Sequence, residues 1–144
     1  MTAPVQAPSL ERAGADNWRR EGDAAVLLAA ACRSCGTLHL PRPVTCAQCH
    51  GDAFERVPLS SAGTLYAYTV IHAAPPGYSQ PYAVAYVDFP EGVRVFGHLR
   101  LGDGPPPDLD APVTVEAAIL VRRPDGTAVE GYRFVPQAAT GEGA

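Results

Sequence analysis

Four cysteines carry the clearest chemistry in this chain of 144 residues. Cys32 and Cys35 form one C-x-x-C pair, Cys46 and Cys49 form a second, and ten residues separate the pairs. Two such pairs at hairpin spacing are a zinc pattern. Each pair makes a tight knuckle with both thiolates pointing one way, and four thiolates close a tetrahedral Zn2+ site. No coordination position is then left for substrate, so the site is structural. Gly36 and Gly51 follow the second cysteine of each pair, where a knuckle needs a permissive backbone. The segment Thr37 to Thr45 is expected to form the short hairpin that brings the knuckles together.

Other chemistries compete for the same residues. Disulfides need an oxidising compartment. The start Met1 to Pro8 has neither the basic stretch nor the apolar core of an export signal. A redox C-x-x-C needs a βαβ setting, which the pattern lacks. Cys46-Ala47-Gln48-Cys49-His50 matches the c-type haem attachment motif. That reading leaves Cys32 and Cys35 unexplained and needs export to an oxidising compartment, and with Met1 the only methionine another histidine would have to serve as second axial ligand. A Cys3His variant using His39 or His50 stays open beside the four-cysteine site.

The elements that hold these residues are read as mainly β. Glycine and proline number 14 and 15, which excludes a helical bundle and favours short strands and turns. The expected organisation is a disordered N-terminus over 1–8, an N-terminal helix with a zinc ribbon over 9–53, an OB-fold over 54–136, and a tail over 137–144. The helix is placed around Leu10 to Glu21, capped at Ser9 or Asp16 and ended by Gly22. Trp18 is read as its anchor onto the rest of the fold. Ala24 to Ala31 is a buried strand or a helix end; periodicity does not decide.

Beyond the ribbon, strands are expected at Phe54 to Leu59, Gly63 to His72, Tyr82 to Phe89, Val93 to Leu101, Pro112 to Arg123 and Ala128 to Val135. In the second, Leu65, Ala67, Thr69 and Ile71 would share one face and Tyr66, Tyr68, Val70 and His72 the other. Tyr66, Tyr68 and Tyr86 are read as barrel packing. This many short strands suggest a five-stranded OB-fold barrel, with an SH3-like barrel or small sandwich as alternatives. Gly63 and Gly97 lie inside strand patterns, where glycine marks the bends of a small barrel.

Charge and hydropathy limit the partners. The longest low-charge apolar run, Ala24 to Cys32, has nine residues, and a membrane helix needs ~20. A cytoplasmic location with no membrane partner is expected. All 11 basic residues are arginine, and the net charge is −4. Residues 1–56 hold six Arg and six Asp/Glu; residues 57–144 hold five Arg and nine Asp/Glu. A surface that neutralises phosphates is basic, so no nucleic-acid partner is expected.

Catalytic residues are not evident. With the cysteines committed to metal, no free thiol remains, and no G-x-S-x-G elbow, H-E-x-x-H or phosphate loop is present. The candidates for ligand or partner contact are His72, Tyr78, Tyr82, Arg94 and Arg122. Arg100 and Arg123 join the arginines whose forked guanidinium suits phosphate groups.

These pieces together resemble a known family. They are Trp18-Arg-Arg-Glu-Gly22, Cys32-Arg-Ser-Cys35-Gly36, Leu40-Pro-Arg-Pro43, Cys46 with Cys49, and Gly63-Thr-Leu-Tyr-Ala-Tyr-Thr-Val70. Tyr82-Ala-Val-Ala-Tyr-Val87 and Gly92-Val-Arg-Val-Phe-Gly97 complete the set. The chain resembles the acyl-CoA-associated zinc-ribbon/OB-fold family, long known as a domain of unknown function. The resemblance implies a rubredoxin-like zinc ribbon followed by an OB-fold. It also implies a hetero-oligomer with a thiolase-like or related acyl-CoA enzyme. There the small subunit supports assembly and the CoA channel, and the large subunit does the Claisen chemistry. A coenzyme A thioester is expected at that interface. The alternative is a stand-alone module binding acyl-CoA or nucleic acid.

Overall fold

The computed structural model describes residues 10–73, 82–102 and 105–137. The expected disorder over 1–8, the tail from 138 onward and Tyr78 lie outside the described residues. Apart from one 3-10 turn, the regular elements in these segments are all β-strands, and no helix among the described residues is long and apolar enough to cross a membrane.

The N-terminal segment departs from expectation. In place of a helix over Leu10 to Glu21 there are strand β1 (Leu10–Arg12), the 3-10 turn Ala15–Asn17 and strand β2 (Trp18–Glu21). The cause is long-range pairing. β1 lies parallel to Ala128, Val129 and Glu130, and β2 lies antiparallel to the strand that follows it. Such ladders are invisible to local periodicity. Trp18 is the anchor expected of it: 1% exposed, its Nε1 donates to the Ala13 carbonyl at 2.7 Å, and the Arg12 guanidinium sits 4.1 Å above its ring.

Strand β3 (Ala24–Cys32) organises the ribbon. Its first half pairs with β2, and its second half pairs with β4 (Leu38–His39) and β5 (Phe54–Pro58). Ala25, Leu27 and Ala29 turn inward, while Cys32 at the strand's end enters the first knuckle.

The barrel follows as β6 (Ala62–Ile71), β7 (Tyr82–Asp88), β8 (Arg94–Leu99), β9 (Pro112–Arg122) and β10 (Ala128–Pro136). β6, β7 and β8 form a meander; β8 meets β10 in parallel; β10 pairs with β9; β9 returns to β6. The circuit closes, giving the five-stranded Greek-key barrel of an OB-fold. Closure leaves the β6–β10 circuit without an open edge of the kind that invites aggregation.

Two glycines make closure possible. A Cβ on Gly63 would lie 2.6 Å from Val87 Cγ1, and one on Gly97 would lie 2.6 Å from Tyr132 Cε2. At both points neighbouring layers approach too closely for any side chain. The expected faces of β6 need one correction. Tyr66 is the extra residue of a β-bulge between Leu65 and Ala67, so the inward side switches from Gly63 and Leu65 to Tyr68 and Val70. Tyr66 itself faces out, as does Tyr86, so neither packs the barrel interior.

Ribbon and barrel share a core. Trp18, Ala25, Leu27 and Ala29 from β2 and β3 pack in one cluster with Leu65, Val87, Val95, Val113 and Phe134 from the barrel. Backbone pairing crosses the same junction, with Ala24 opposite Glu116 and the Ala117 amide donating to Asp23 at 3.0 Å.

Candidate metal centre

The two knuckles are built by backbone hydrogen bonds. The Gly36 amide donates to the Cys32 carbonyl at 2.8 Å, and the His50 amide donates to the Cys46 carbonyl at 2.9 Å. Each closes a turn around its C-x-x-C pair. The turn then leaves through a left-handed residue: Gly36 at φ 83° in the first knuckle and His50 at φ 64° in the second. Gly51 therefore does not supply the expected conformational freedom. It supplies room, since a Cβ there would lie 3.4 Å from Cys49 Sγ and 3.5 Å from Cys32 Sγ.

The four Sγ atoms lie within 4.8 Å of one another. Cys32 to Cys49 is 3.4 Å and Cys35 to Cys46 is 3.6 Å. Sulfurs at ~2.3 Å from a tetrahedral zinc stand ~3.8 Å apart, so the donor set fits a zinc ion. The separations are far too long for disulfides, which bond at ~2.05 Å. Cys32 and Cys46 are buried, and Cys35 and Cys49 open toward solvent.

The surroundings favour thiolates on part of the set. The Thr37 hydroxyl, 3.1 Å from Cys35 Sγ, and the Thr37 amide draw the Cys35 thiol down to about 6. The Cys35 and Ser34 amides lower Cys32 as well. Cys49 goes the other way. The Gly51 amide pulls it down, but the neighbouring sulfurs of Cys32 and Cys35, with burial, hold it up at about 12. Four clustered thiolates repel one another, and a bound dication would offset that repulsion.

His39 is not one of the clustered donors. Its Nε2 lies 3.4 Å from Cys46 Sγ, and its ring stands edge-on to Phe54 with centroids 5.9 Å apart. It is placed as an outer partner of a sulfur, the kind of group that orients a metal ligand. The Gln48 amide also donates to Cys46 Sγ at 3.4 Å. His50, which the haem motif would require, is exposed and lies outside the sulfur cluster.

The remaining candidate residues do not converge. His72 is exposed just past the end of β6, and Tyr82 opens β7 beside it, its ring stacked on His98 at 5.6 Å. Arg94 lies at the far end of the β7–β8 ladder, about 20 Å of strand away. It is held there by Asp88 through bonds of 2.6 and 3.1 Å. Arg122 is exposed at the tip of the β9–β10 hairpin, and the adjacent Arg123 pairs with Glu11 at 2.8 Å. Arg100 and Arg133 both turn to Glu116.

Fold and site together define a zinc-ribbon/OB-fold protein. Residues 21–55 match the ChsH2 rubredoxin-like zinc ribbon domain, and residues 56–118 match the ChsH2 C-terminal OB-fold domain. The chain belongs to this ChsH2 (DUF35) family. It is 32% identical over 126 residues to a DUF35 domain-containing scaffold protein of Methanocaldococcus jannaschii, covering 83% of this chain and 88% of that protein. It is 34% identical over 129 residues to the benzoylsuccinyl-CoA thiolase subunit BbsA of Thauera aromatica, covering 88% of this chain and 84% of that one. A solved chain of an Ltp2-ChsH2(DUF35) aldolase superposes with a TM-score of 0.59 at 28% identity, over 75% of this chain and 84% of that chain.

Proposed function

We propose that this chain is the zinc-containing accessory subunit of a thiolase-like acyl-CoA complex. The large subunit forms or breaks the C–C bond of a CoA thioester. This chain supports assembly and borders the CoA channel. Cys32, Cys35, Cys46 and Cys49 hold one structural zinc, which fixes the knuckles and takes no part in the reaction. The observation that carries this reading is the similarity, over most of both chains, to a protein named as a thiolase subunit. The arrangement of polar residues is consistent with it: the candidate histidine, tyrosine and arginines are spread over separate ends of the barrel instead of facing one reacting centre. The complex is placed in the cytoplasm.

Affinity purification from the native host, with mass spectrometry and metal analysis of one fraction, tests the reading. A thiolase-like or aldolase-like large subunit with about one zinc per chain is expected. A chain that elutes alone, from cells in which such an enzyme is active, ends it.

A further inference from the structure

From Tyr82 to Val87, β7 is apolar on both faces. Ala83, Ala85 and Val87 face the barrel core and are at most 1% exposed. The alternating residues Tyr82, Val84 and Tyr86 point outward. An antiparallel sheet with a solvated face reads apolar-in and polar-out. Here the small residues are inside and the large rings outside, the inverse of what burial favours in a free-standing barrel.

The neighbouring strands extend the same surface. Tyr86 is 46% exposed and sits 5.1 Å from the ring of Phe96, its partner on β8, itself 50% exposed. The β6 bulge turns Tyr66 to the same side, 48% exposed. The Arg94 guanidinium lies 3.4 Å over the Tyr66 ring while bonded to Asp88, so the charges at this end neutralise each other. Phe96 also lines a groove of about 360 Å³ with Leu40 and Pro41 of the ribbon and Leu120 and Tyr132 of the barrel. Rings and groove form one surface that runs from barrel to ribbon.

We propose that this aromatic face, with the Phe96 groove, is where the chain docks its acyl-CoA enzyme subunit, and that it receives an aliphatic patch with a basic rim. The inference rests on the accessory-subunit reading above. Area and charge select this occupant over a second copy. Three rings about half exposed offer roughly 300 Å², well short of the ~800 Å² per partner of a stable interface. That is the size of the aromatic centre of a larger heteromeric contact. The face itself is close to neutral, but the barrel half as a whole carries five Arg against nine Asp/Glu, so its long-range field opposes the approach of a second copy and attracts a partner with a basic rim.

The test uses the zinc-loaded full chain and the large subunit that co-purifies with it. A Tyr86→Asp/Phe96→Asp double variant is compared with Val44→Asp, which places the same charge on an 89% exposed ribbon residue. The expected result is at least about 30-fold weaker binding for the double variant and wild-type binding for Val44→Asp. Circular dichroism and zinc content should be unchanged in both. If the double variant does not fold, a photo-crosslinking amino acid at Tyr86 decides, and it is expected to label the large subunit. Wild-type affinity of the double variant, equal loss in Val44→Asp, or no crosslink overturns the docking face while leaving the accessory-subunit reading intact. A wild-type homodimer dissolved by the double substitution overturns it in favour of self-association. Absence of any acyl-CoA enzyme with the wild-type chain removes the functional reading itself, and the docking face with it.

Discussion

Arg20 of the ribbon is ion-paired to Glu130 of the barrel, 110 residues further along the chain. Glu130 is the one buried charged residue among the described residues, its side chain 5% exposed. Arg12 adds a second cation at 3.7 Å, and the Ala13 amide donates to the Glu130 carbonyl at 2.7 Å. The N-terminal strand, the ribbon and the last barrel strand therefore meet at one carboxylate. Removing a partner from a buried charge costs more than the pair contributes, because the remaining charge is left desolvated.

Arg20→Ala should accordingly destabilise the fold by about 2 kcal/mol, tempered by the half-exposed arginine and by the presence of Arg12. Arg19→Ala removes the Arg19–Glu21 pair, both partners about half exposed, and should change stability by less than about 0.5 kcal/mol. Urea unfolding of the two variants checks the contrast. Equal effects would mean that Glu130 is not the junction described.

Zinc removal should unfold the ribbon. Cys46 is fully buried and bonded through sulfur to His39 and Gln48, so Cys46→Ser should abolish zinc retention and lower the melting temperature sharply. Binding energy in such ribbons is folding energy, of order 10 kcal/mol in zinc-finger peptides. His39→Ala leaves the four sulfurs in place and should loosen zinc by about 10-fold. Competition with a chromophoric chelator measures both.

Gly97→Ala should cost about 1–3 kcal/mol. The added carbon would fall 2.6 Å from Tyr132 Cε2 and 2.9 Å from Phe134 Cε2. Tyr132 cannot easily yield, since its hydroxyl donates to the Phe96 carbonyl at 2.7 Å. The exposed Gly102, with open space around it, should accept alanine with little effect, as thermal melts of the pair will show.

His98 gives the fold a pH dependence of known sign. Burial, and then the nearby charge of Arg133, lower its basicity. The unfolded chain binds a proton near the ordinary pKa of ~6.5, while the folded chain resists until lower pH. Its contribution is thus fully present above ~6.5 and is lost as pH falls toward the folded value. His98→Gln should flatten the stability profile in that window, as urea midpoints measured between about pH 5 and 7.5 will report. A variant with an unchanged slope would place the titration elsewhere.

What the sequence revealed divides by the range of the interaction. The cysteine quartet was legible because each knuckle is closed by bonds within a few residues, such as Gly36 to Cys32. The barrel strands were legible from β-rich runs between Pro/Gly turns, to within about two residues at each end. The start of the chain was not, since β1 exists only against Ala128 to Glu130. The bulge at Tyr66 was also hidden, because a strict alternation of period two has no place for an extra residue. In the second knuckle, glycine at Gly51 drew attention, while the left-handed turn fell on His50 one residue earlier. The outward rings of Tyr86 and Phe96 did leave a signal: the unbroken apolar run Tyr82 to Val87, which a one-sided sheet does not need.

Trp18, Leu27 and Ala29 on one side and Val113 and Phe134 on the other fill a single interior. The recognised boundary at residues 55 and 56 thus divides two recurring sequence patterns without dividing the folding unit. Neither half carries a complete hydrophobic complement. Grafting only the ribbon or only the barrel into another protein would expose aliphatic and indole surface that the other half covers here, so the two are expected to be transplantable only together.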